Sequence, residues 1–533
     1  MPKKPPRYRR HSAPFRRSAF VVRNYCASTS GTNIRETMSQ SAVIHLLLGT
    51  AFLSISSAST LGAPPQTALV VGFENAYELS LLANTLTDQG IDATLIVSAD
   101  AGDIYENLVE VEVIRLNVSS QDDGSLEKKA LRACEALLGN QKILRRVGEI
   151  QPTFTIFPAI RHDACLIPWA RFISSNPVVW ALGINEEHYA IQKTKMGIPI
   201  FTEGIYDRFW ANVNVQRVIA GVESNFVNPG LKIAGKYVSN VGGTLDELYS
   251  NVELLLWGGD SILRTHFASL TQRFVEIGCH HCRGVQPLPS ELQKELVEFR
   301  LGTIVVSLDK THAELIKGVA KKLPQGRQGQ AVAWKGKNMR FTGGTPENLF
   351  VHSSVDRQDL IGYPRARVFL SHCDDTELLE SGFHGTPIIC FPRNPHEKRN
   401  AQRAVELGFS ISLNDDYSLD KVVKTIVEIH ESALYRENAR SVSLAIRDRP
   451  MPASDRAVFW LRYVARNEKS SIEFSPVDRK LPVKTFAEDI QLYIGILLGT
   501  ICGALFAATT ALTWYYQGRE SKSARSKARK YNR

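Results

Sequence analysis

With 533 residues the chain is long enough for two large domains, and its 44% hydrophobic and 22% charged residues are an ordinary globular balance. The formal net charge of +10 sits at the two ends: residues 1–37 carry +8 and residues 517–533 carry +6, which leaves a body of −4. A mildly acidic body excludes a phosphate-backbone footprint, and with it a nucleic-acid partner.

Residues 1–63 read as a basic extension followed by a signal peptide. The apolar run 42–55 has the length of a secretory signal core, with small residues after it at Ser56-Ser57-Ala58 and Gly62-Ala63. Met38 is an alternative start to Met1. An organelle transit peptide, rich in Arg and poor in acids, and an uncleaved anchor are two other readings of the same stretch.

Residues 64–285 read as a first α/β domain. The spacing predicts a buried strand over 68–73, a helix over 76–89 with Leu79, Leu82, Ala83 and Leu86 on one face, and a second strand over 91–97. This is the β-α-β opening of a parallel sheet. Asn117-Val118-Ser119 is a glycosylation sequon. The eight cysteines are too sparse for a disulfide scaffold. Cys279-His280-His281-Cys282 invites a zinc reading, but four adjacent residues do not easily wrap one tetrahedral ion, and no second pair follows at finger spacing. A disulfide or free thiols are expected there, and no metal.

Residues 286–450 read as a second α/β domain, opened by the linker Gln286-Pro287-Leu288-Pro289. Strands are predicted at 302–308, 330–334, 368–371 and 387–391, with helices at 311–323, 374–383, 397–407 and 416–429. Two doubly wound domains place a ligand cleft at the carboxyl ends of their strands. Residues 451–490 form a return segment and membrane-proximal linker. A transmembrane helix follows at 491–516. Residues 492–516 carry no charge, and at about 1.5 Å per residue they exceed the roughly 30 Å hydrocarbon core. Tyr493 at one edge and Trp514, Tyr515 and Tyr516 at the other suit an interfacial belt. The basic tail 517–533 is then cytosolic by the positive-inside rule, and the body lumenal, in the endoplasmic reticulum or secretory-pathway membrane.

Between 348 and 408 the chain carries Asp359-Leu360-Ile361, Pro364, Ser371-His372, Glu380, His384-Gly385-Thr386-Pro387, Pro392 and Asn400-Ala401 in a register that needs no gap. This resembles the donor-binding signature of the UDP-glycosyltransferases, above all the membrane-bound UDP-glucuronosyltransferases. Ala333-Trp334-Lys335, Pro346-Glu347-Asn348, Asp207-Arg208-Phe209 and Asn212 match other segments of that family, and the resemblance extends over roughly 64–530. It implies a GT-B-like fold of two Rossmann-type domains facing a cleft. It also implies transfer of a glycosyl group from a UDP-sugar to a small lipophilic acceptor. The family needs no cofactor beyond the UDP-sugar substrate. The UDP-sugar-binding residues implied are Ser307, Arg357, His372, Thr376, Glu380, His396, Glu397 and Asn400.

The departures fall on the chemistry. Ser354 stands in place of the Trp that stacks on uracil, a contact worth about 1–3 kcal/mol. Asp356 and Arg357 replace a Pro-Gln pair, Cys373 and Asp374 a Gly-Gly pair, Thr376 and Glu377 an Asn-Ser pair, and His396 and Glu397 an Asp-Gln pair. Ser307-Leu308-Asp309-Lys310 replaces a Ser-Phe-Gly-Ser loop, and Lys310 or Arg357 offers a new phosphate partner. Asp374, Asp375 and Glu377 crowd a helix start meant for a diphosphate, where anions compete with an anionic ligand. Asn75 falls at the position of the catalytic base, and an amide accepts no proton at neutral pH. The orienting acid falls near Pro158, with His162 and Asp163 as substitutes. The sequence therefore points to a UDP-glucuronosyltransferase-like protein with a degraded site, or to a non-catalytic relative that binds a lipophile or pairs with active paralogues as a homo- or hetero-oligomer. A different donor, with a divalent cation between Asp374 and Asp375, is a third reading that nothing else in the sequence supports.

Overall fold

A computed structural model describes residues 66–99, 104–105, 108–118, 126–159, 161–182, 197–199, 220–238, 252–263, 267–270, 273–336, 343–413, 417–467 and 486–532, with the single positions 217, 249 and 341. The basic extension and signal segment, the 207–212 patch and most of the membrane-proximal linker lie outside the described residues.

The first half is built on strands β1 (Thr67–Gly72), β2 (Asp92–Ser98), β3 (Glu112–Leu116), β4 (Phe154–Pro158), β5 (Asn176–Ala181), β7 (Leu254–Trp257) and β9 (Phe274–Glu276), with β6 (Gly197–Pro199) and β8 (Phe267–Leu270) forming a separate antiparallel pair. The seven-stranded sheet has the order β3-β2-β1-β4-β5-β7-β9 and is parallel throughout. Its inner strands are apolar on both faces because both faces are covered. Val70 and Leu95 pack under Leu79, Leu82 and Leu86 of the helix Ala76–Asp88. Leu69, Val71 and Ile96 pack on the other face with Leu137 of the helix Leu126–Leu138 and Trp169 of the helix Asp163–Phe172.

The second half carries β10 (Thr303–Ser307), β11 (Ala331–Lys335), β12 (Leu349–His352), β13 (Ala366–Ser371), β14 (Ile388–Cys390) and β15 (Ser410–Ser412) in a parallel sheet of order β12-β11-β10-β13-β14-β15. The order reverses direction between β1 and β4 in one sheet and between β10 and β13 in the other, and such a switch point opens a ligand crevice. One buried cluster joins the halves, from Leu79 and Leu256 through Leu292 and Leu378 to Leu461. Within the return segment, the helix Ala453–Asn467 lies back on the helix Ala76–Asp88, and Gln89 Nε2 donates to Asp455 Oδ1 at 3.2 Å.

Among the described residues three disulfides join Cys134 to Cys165, Cys279 to Cys282 and Cys373 to Cys390, while Cys502 is unpaired. The first ties the helix Leu126–Leu138 to the helix Asp163–Phe172. The pairings bring together positions 31, 3 and 17 residues apart, which spacing alone did not indicate beyond the Cys279/Cys282 pair. The apolar span belongs to one helix, Phe486–Tyr531, which is long and apolar enough to cross a membrane and runs on unbroken through the basic tail. Leu497, Leu505, Phe506 and Trp514 are exposed on it, as lipid-facing side chains are.

Candidate active site

The second-half crevice is framed by the tips of β10 and β13 and by the helix Asp375–His384. Ser307 and Ser371 close those two strands, and both hydroxyls donate to Glu377, to Oε1 and Oε2, at 2.7 Å each. Asp374 is the N-cap: its Oδ1 accepts from the backbone N–H of Glu377 and from the Thr376 hydroxyl, both at 2.8 Å. Cys373 before it has φ 61, a left-handed conformation that a glycine adopts without strain. The family's glycine at this position thus has a backbone reason, and here a disulfide holds the same turn.

Arg357 reaches into this frame from the short helix Arg357–Ile361. Its Nε donates to Glu380 Oε2 at 2.6 Å and its Nη2 to Glu380 Oε1 at 2.9 Å. Thr376 Oγ1 and Glu377 Oε1 accept from the same guanidinium at 3.1 and 3.3 Å. Burial works against the Arg357 charge, but Glu380, Glu377 and Asp374 outweigh it and hold the guanidinium well above its ordinary value. Burial raises Glu380, against the pull of Arg357. Burial, then the charge of Asp374, pushes Glu377 up to about 7.

The three acids expected at the helix start do sit there, each already engaged within the chain. Asp374 caps the helix, Glu377 turns inward onto two serines, and Asp375 is held by His396 Nε2 at 2.7 Å and by Asn400 Nδ2 at 3.0 Å. A cation bridging Asp374 and Asp375 has no support there, since both carboxylates already serve neighbouring side chains and backbone. Glu397 accepts from Arg393, at its backbone N–H (2.6 Å) and Nη2 (2.8 Å). His372 donates from Nδ1 to the Phe391 carbonyl at 2.9 Å. The eight residues implied by the resemblance therefore gather at one crevice, and seven of them fall into three internally satisfied groups: Ser307, Arg357, Thr376 and Glu380 around Glu377; His396 and Asn400 around Asp375; and Glu397 with Arg393. The eighth, His372, is bonded through Nδ1 alone. Ser354, in the place of the stacking Trp, is exposed on the loop before them.

In the first half, Asn75 follows β1 in the left-handed conformation (φ 52) and starts the helix Ala76–Asp88 without a side-chain cap bond. Pro158 ends β4 across the switch point, and Arg161 Nη1 pairs with Glu74 Oε2 at 2.6 Å over the same crevice. His162 and Asp163 do not assemble into a base and its orienting acid. Tyr249 donates to Asp163 Oδ2 at 2.6 Å, and the backbone N–H of Ala164 donates to Oδ1 at 2.8 Å. His162 is buried with its ring 5.2 Å from that of Phe73, and burial, aided by Arg161, lowers its pKa to about 3. So weak a base takes little of an acceptor's proton. Asn117 lies exposed just past the edge strand β3.

Several residues at the cleft went unread in the sequence. Arg283, in the segment joining the halves, donates from Nη1 and Nη2 to the two oxygens of Asp359 at 2.7 and 2.9 Å, and to Asp356 at 3.0 Å. His280 Nε2 lies 2.9 Å from the Glu78 carbonyl, and His281 Nε2 lies 3.7 Å from Glu380. Glu78 is buried, and burial raises its pKa. Asp309 and His312, in the turn after β10, meet His372. The Cys279-to-Cys282 segment carried a signal that suggested zinc; its two sulfurs are joined to each other. Asp309 was read only as part of the replaced Ser307-to-Lys310 loop, and Arg283, Glu78 and His312 carry no motif of their own, since an arginine beside a Pro-rich linker reads as solvent-facing.

The family model described as UDP-glucoronosyl and UDP-glucosyl transferase matches residues 120–473. UDP-glucosyltransferase 2 of Dactylopius coccus is 26% identical over 440 residues, covering 74% of this chain and 82% of that protein. UDP-glucuronosyltransferase 1A8 of Homo sapiens is 25% identical over 432 residues, covering 74% and 76%. Among solved structures, CalG4, the calicheamicin glycosyltransferase, superposes with a TM-score of 0.53 at 17% identity, covering 76% of this chain and 99% of that one. Glycosyltransferase VinC in complex with dTDP gives 0.53 at 13% identity, covering 75% and 100%. A family match over most of the chain, on two parallel sheets that superpose on GT-B glycosyltransferases, makes this protein a member of the UDP-glycosyltransferase family.

Proposed function

We propose that this chain is a non-catalytic member of its family, a membrane-anchored protein of the secretory pathway that keeps the two-domain fold and no longer transfers sugar from a UDP-sugar. The single observation that carries this reading is the fork of Arg357 on Glu380. The acid that the family resemblance assigns to the donor is neutralised from within the chain. Asn75 and the weakly basic His162 offer no general base of suitable strength at the positions that the resemblance and its nearest substitute mark out. The names of the relatives supply the ancestral donor, a UDP-sugar, and the family resemblance implies a small acceptor. What remains for the cleft is to hold a small lipophile, or to present the fold to active relatives in the same membrane.

Three disulfides fit an oxidising compartment, and the exposed Asn117 sequon fits a lumenal body. Calorimetry on the full chain in detergent, stripped of metal by a chelator, tests the proposal. UDP and UDP-glucuronate are expected to give no saturable heat at millimolar concentration. Micromolar binding of either by the metal-free protein defeats it.

A further inference from the structure

The turn after β10 and the tip of β13 bring three metal-ligating side chains together. Asp309, His312 and His372 each offer one donor atom, and these atoms all lie within 4.8 Å of one another. His372 is 4% exposed. Its Nδ1–H is given to the Phe391 carbonyl at 2.9 Å, which leaves Nε2 as a bare acceptor. That Nε2 is buried with no hydrogen-bond partner among the described residues, and Asp309 Oδ2 stands 3.4 Å from it. Two acceptors facing each other at that distance need a positive centre between them. His312 Nδ1 stands 3.1 Å from Asp309 Oδ1, and its other nitrogen lies 2.9 Å from Tyr417 Oη.

We propose that Asp309, His312 and His372 bind a divalent zinc ion. The chemistry of the donors suits it: two imidazoles and one carboxylate, with the fourth position open. The spacing suits it as well. Four ligands at about 2.0–2.1 Å in a tetrahedron lie about 3.3 Å from one another, and His372 Nε2 and Asp309 Oδ2 are 3.4 Å apart, with His312 in the same cluster. Each histidine also has the outer partner that fixes a metal-binding imidazole: a backbone carbonyl for His372, the Tyr417 hydroxyl for His312. Two neighbours compete. Arg393 Nη1 is 3.5 Å from Asp309 Oδ2, but that guanidinium is drawn more closely to Glu397 at 2.8 Å. Thr311 donates to Asp309 Oδ1 from its backbone at 3.0 Å and from its hydroxyl, which leaves Oδ2 as the oxygen that turns to the ion. The site shares His372 with the donor crevice, but its test reads metal and not nucleotide, so its failure is distinct from failure of the proposed function.

The test is metal binding by the full chain in detergent, kept oxidised, stripped with a chelator and then dialysed against Zn²⁺, with Co²⁺ as a spectroscopic substitute. The expected result is one zinc per chain and a visible Co²⁺ band of tetrahedral intensity. H312A and H372A are expected to lose both, and Y417F to bind about tenfold more weakly through its outer-partner role. C279S/C282S is expected to keep the ion. H312A removes a side chain at the surface turn and guards against misfolding of the buried H372A; far-UV circular dichroism checks both. No stoichiometric zinc in the unmutated chain overturns the proposal, as does undiminished binding by the H312A/H372A double variant.

Discussion

The guanidinium of Arg357 lies fork to fork on the carboxylate of Glu380, with side-chain exposures of 22% and 6%. Removing one partner of such a pair leaves a buried charge uncompensated. R357Q, which installs the family's residue, is therefore expected to destabilise the second half by about 3 kcal/mol, the low end for buried pairs because the arginine keeps some water. Urea denaturation followed by tryptophan fluorescence measures it. A loss below 1 kcal/mol would mean that Glu380 is satisfied without Arg357.

Glu377 sets a pH dependence of known sign. Its folded pKa, about 7, lies above the ordinary glutamate value of 4.5, so between those values the folded state holds a proton that the unfolded state has released. Stability then falls as pH rises through that window, by up to about one proton's worth of slope. His162 and His384 act in the opposite sense below pH 6.5, because burial lowers them to about 3 and about 4. The comparison to make is the unmutated chain against E377Q, whose stability lacks the downward component between pH 5 and 7. Equal slopes for the two proteins would refute the assignment.

The Cys373–Cys390 bridge and the left-handed turn at Cys373 separate cleanly. C373S/C390S is expected to lose about 2–4 kcal/mol with the cross-link. C373G/C390S is expected to lose about 1 kcal/mol less, since glycine takes φ 61 without the strain of a side chain. Identical midpoints for the two double variants would show that the turn is not strained.

N75H places an imidazole at the start of the helix Ala76–Asp88, beside the first-half switch point. No turnover with UDP-glucuronate or UDP-glucose is expected from this change alone, because Arg357 still covers Glu380. Radiolabelled sugar transfer to a panel of phenolic acceptors is the measurement. Turnover above background would show that the donor crevice remains usable.

The second half was readable because its strands are short apolar runs between turn residues, and because Glu380, His372 and Asn400 kept a register that chance does not produce. What those residues touch was not readable. Arg357 resembled a phosphate ligand in one dimension and is an internal counter-ion in three. Asp375 looked like one more acid at a helix start until His396 and Asn400, from the next helix, closed on it. His312 drew no notice, since its partner His372 comes 60 residues later and only the parallel pairing of β10 with β13 makes them neighbours. The middle of the first half, with helices such as Leu126–Leu138 and Gln141–Ile150, offers amphipathic spacing without any motif.

The helix Phe486–Tyr531 has no break between its apolar stretch and its basic end. At about 1.5 Å per residue, the fifteen residues after Tyr516 extend it by about 22 Å, more than twice the roughly 8 Å over which charges are felt in physiological salt. Standing upright, such a rod would carry its outermost cations out of reach of anionic headgroups; leaning, it lays Arg519, Lys522, Arg525 and Arg529 along them, each adding about 1 kcal/mol of attraction. Without a joint at the bilayer face, that lean is transmitted through the span, so lipid charge on one leaflet biases how the helix tilts across the other.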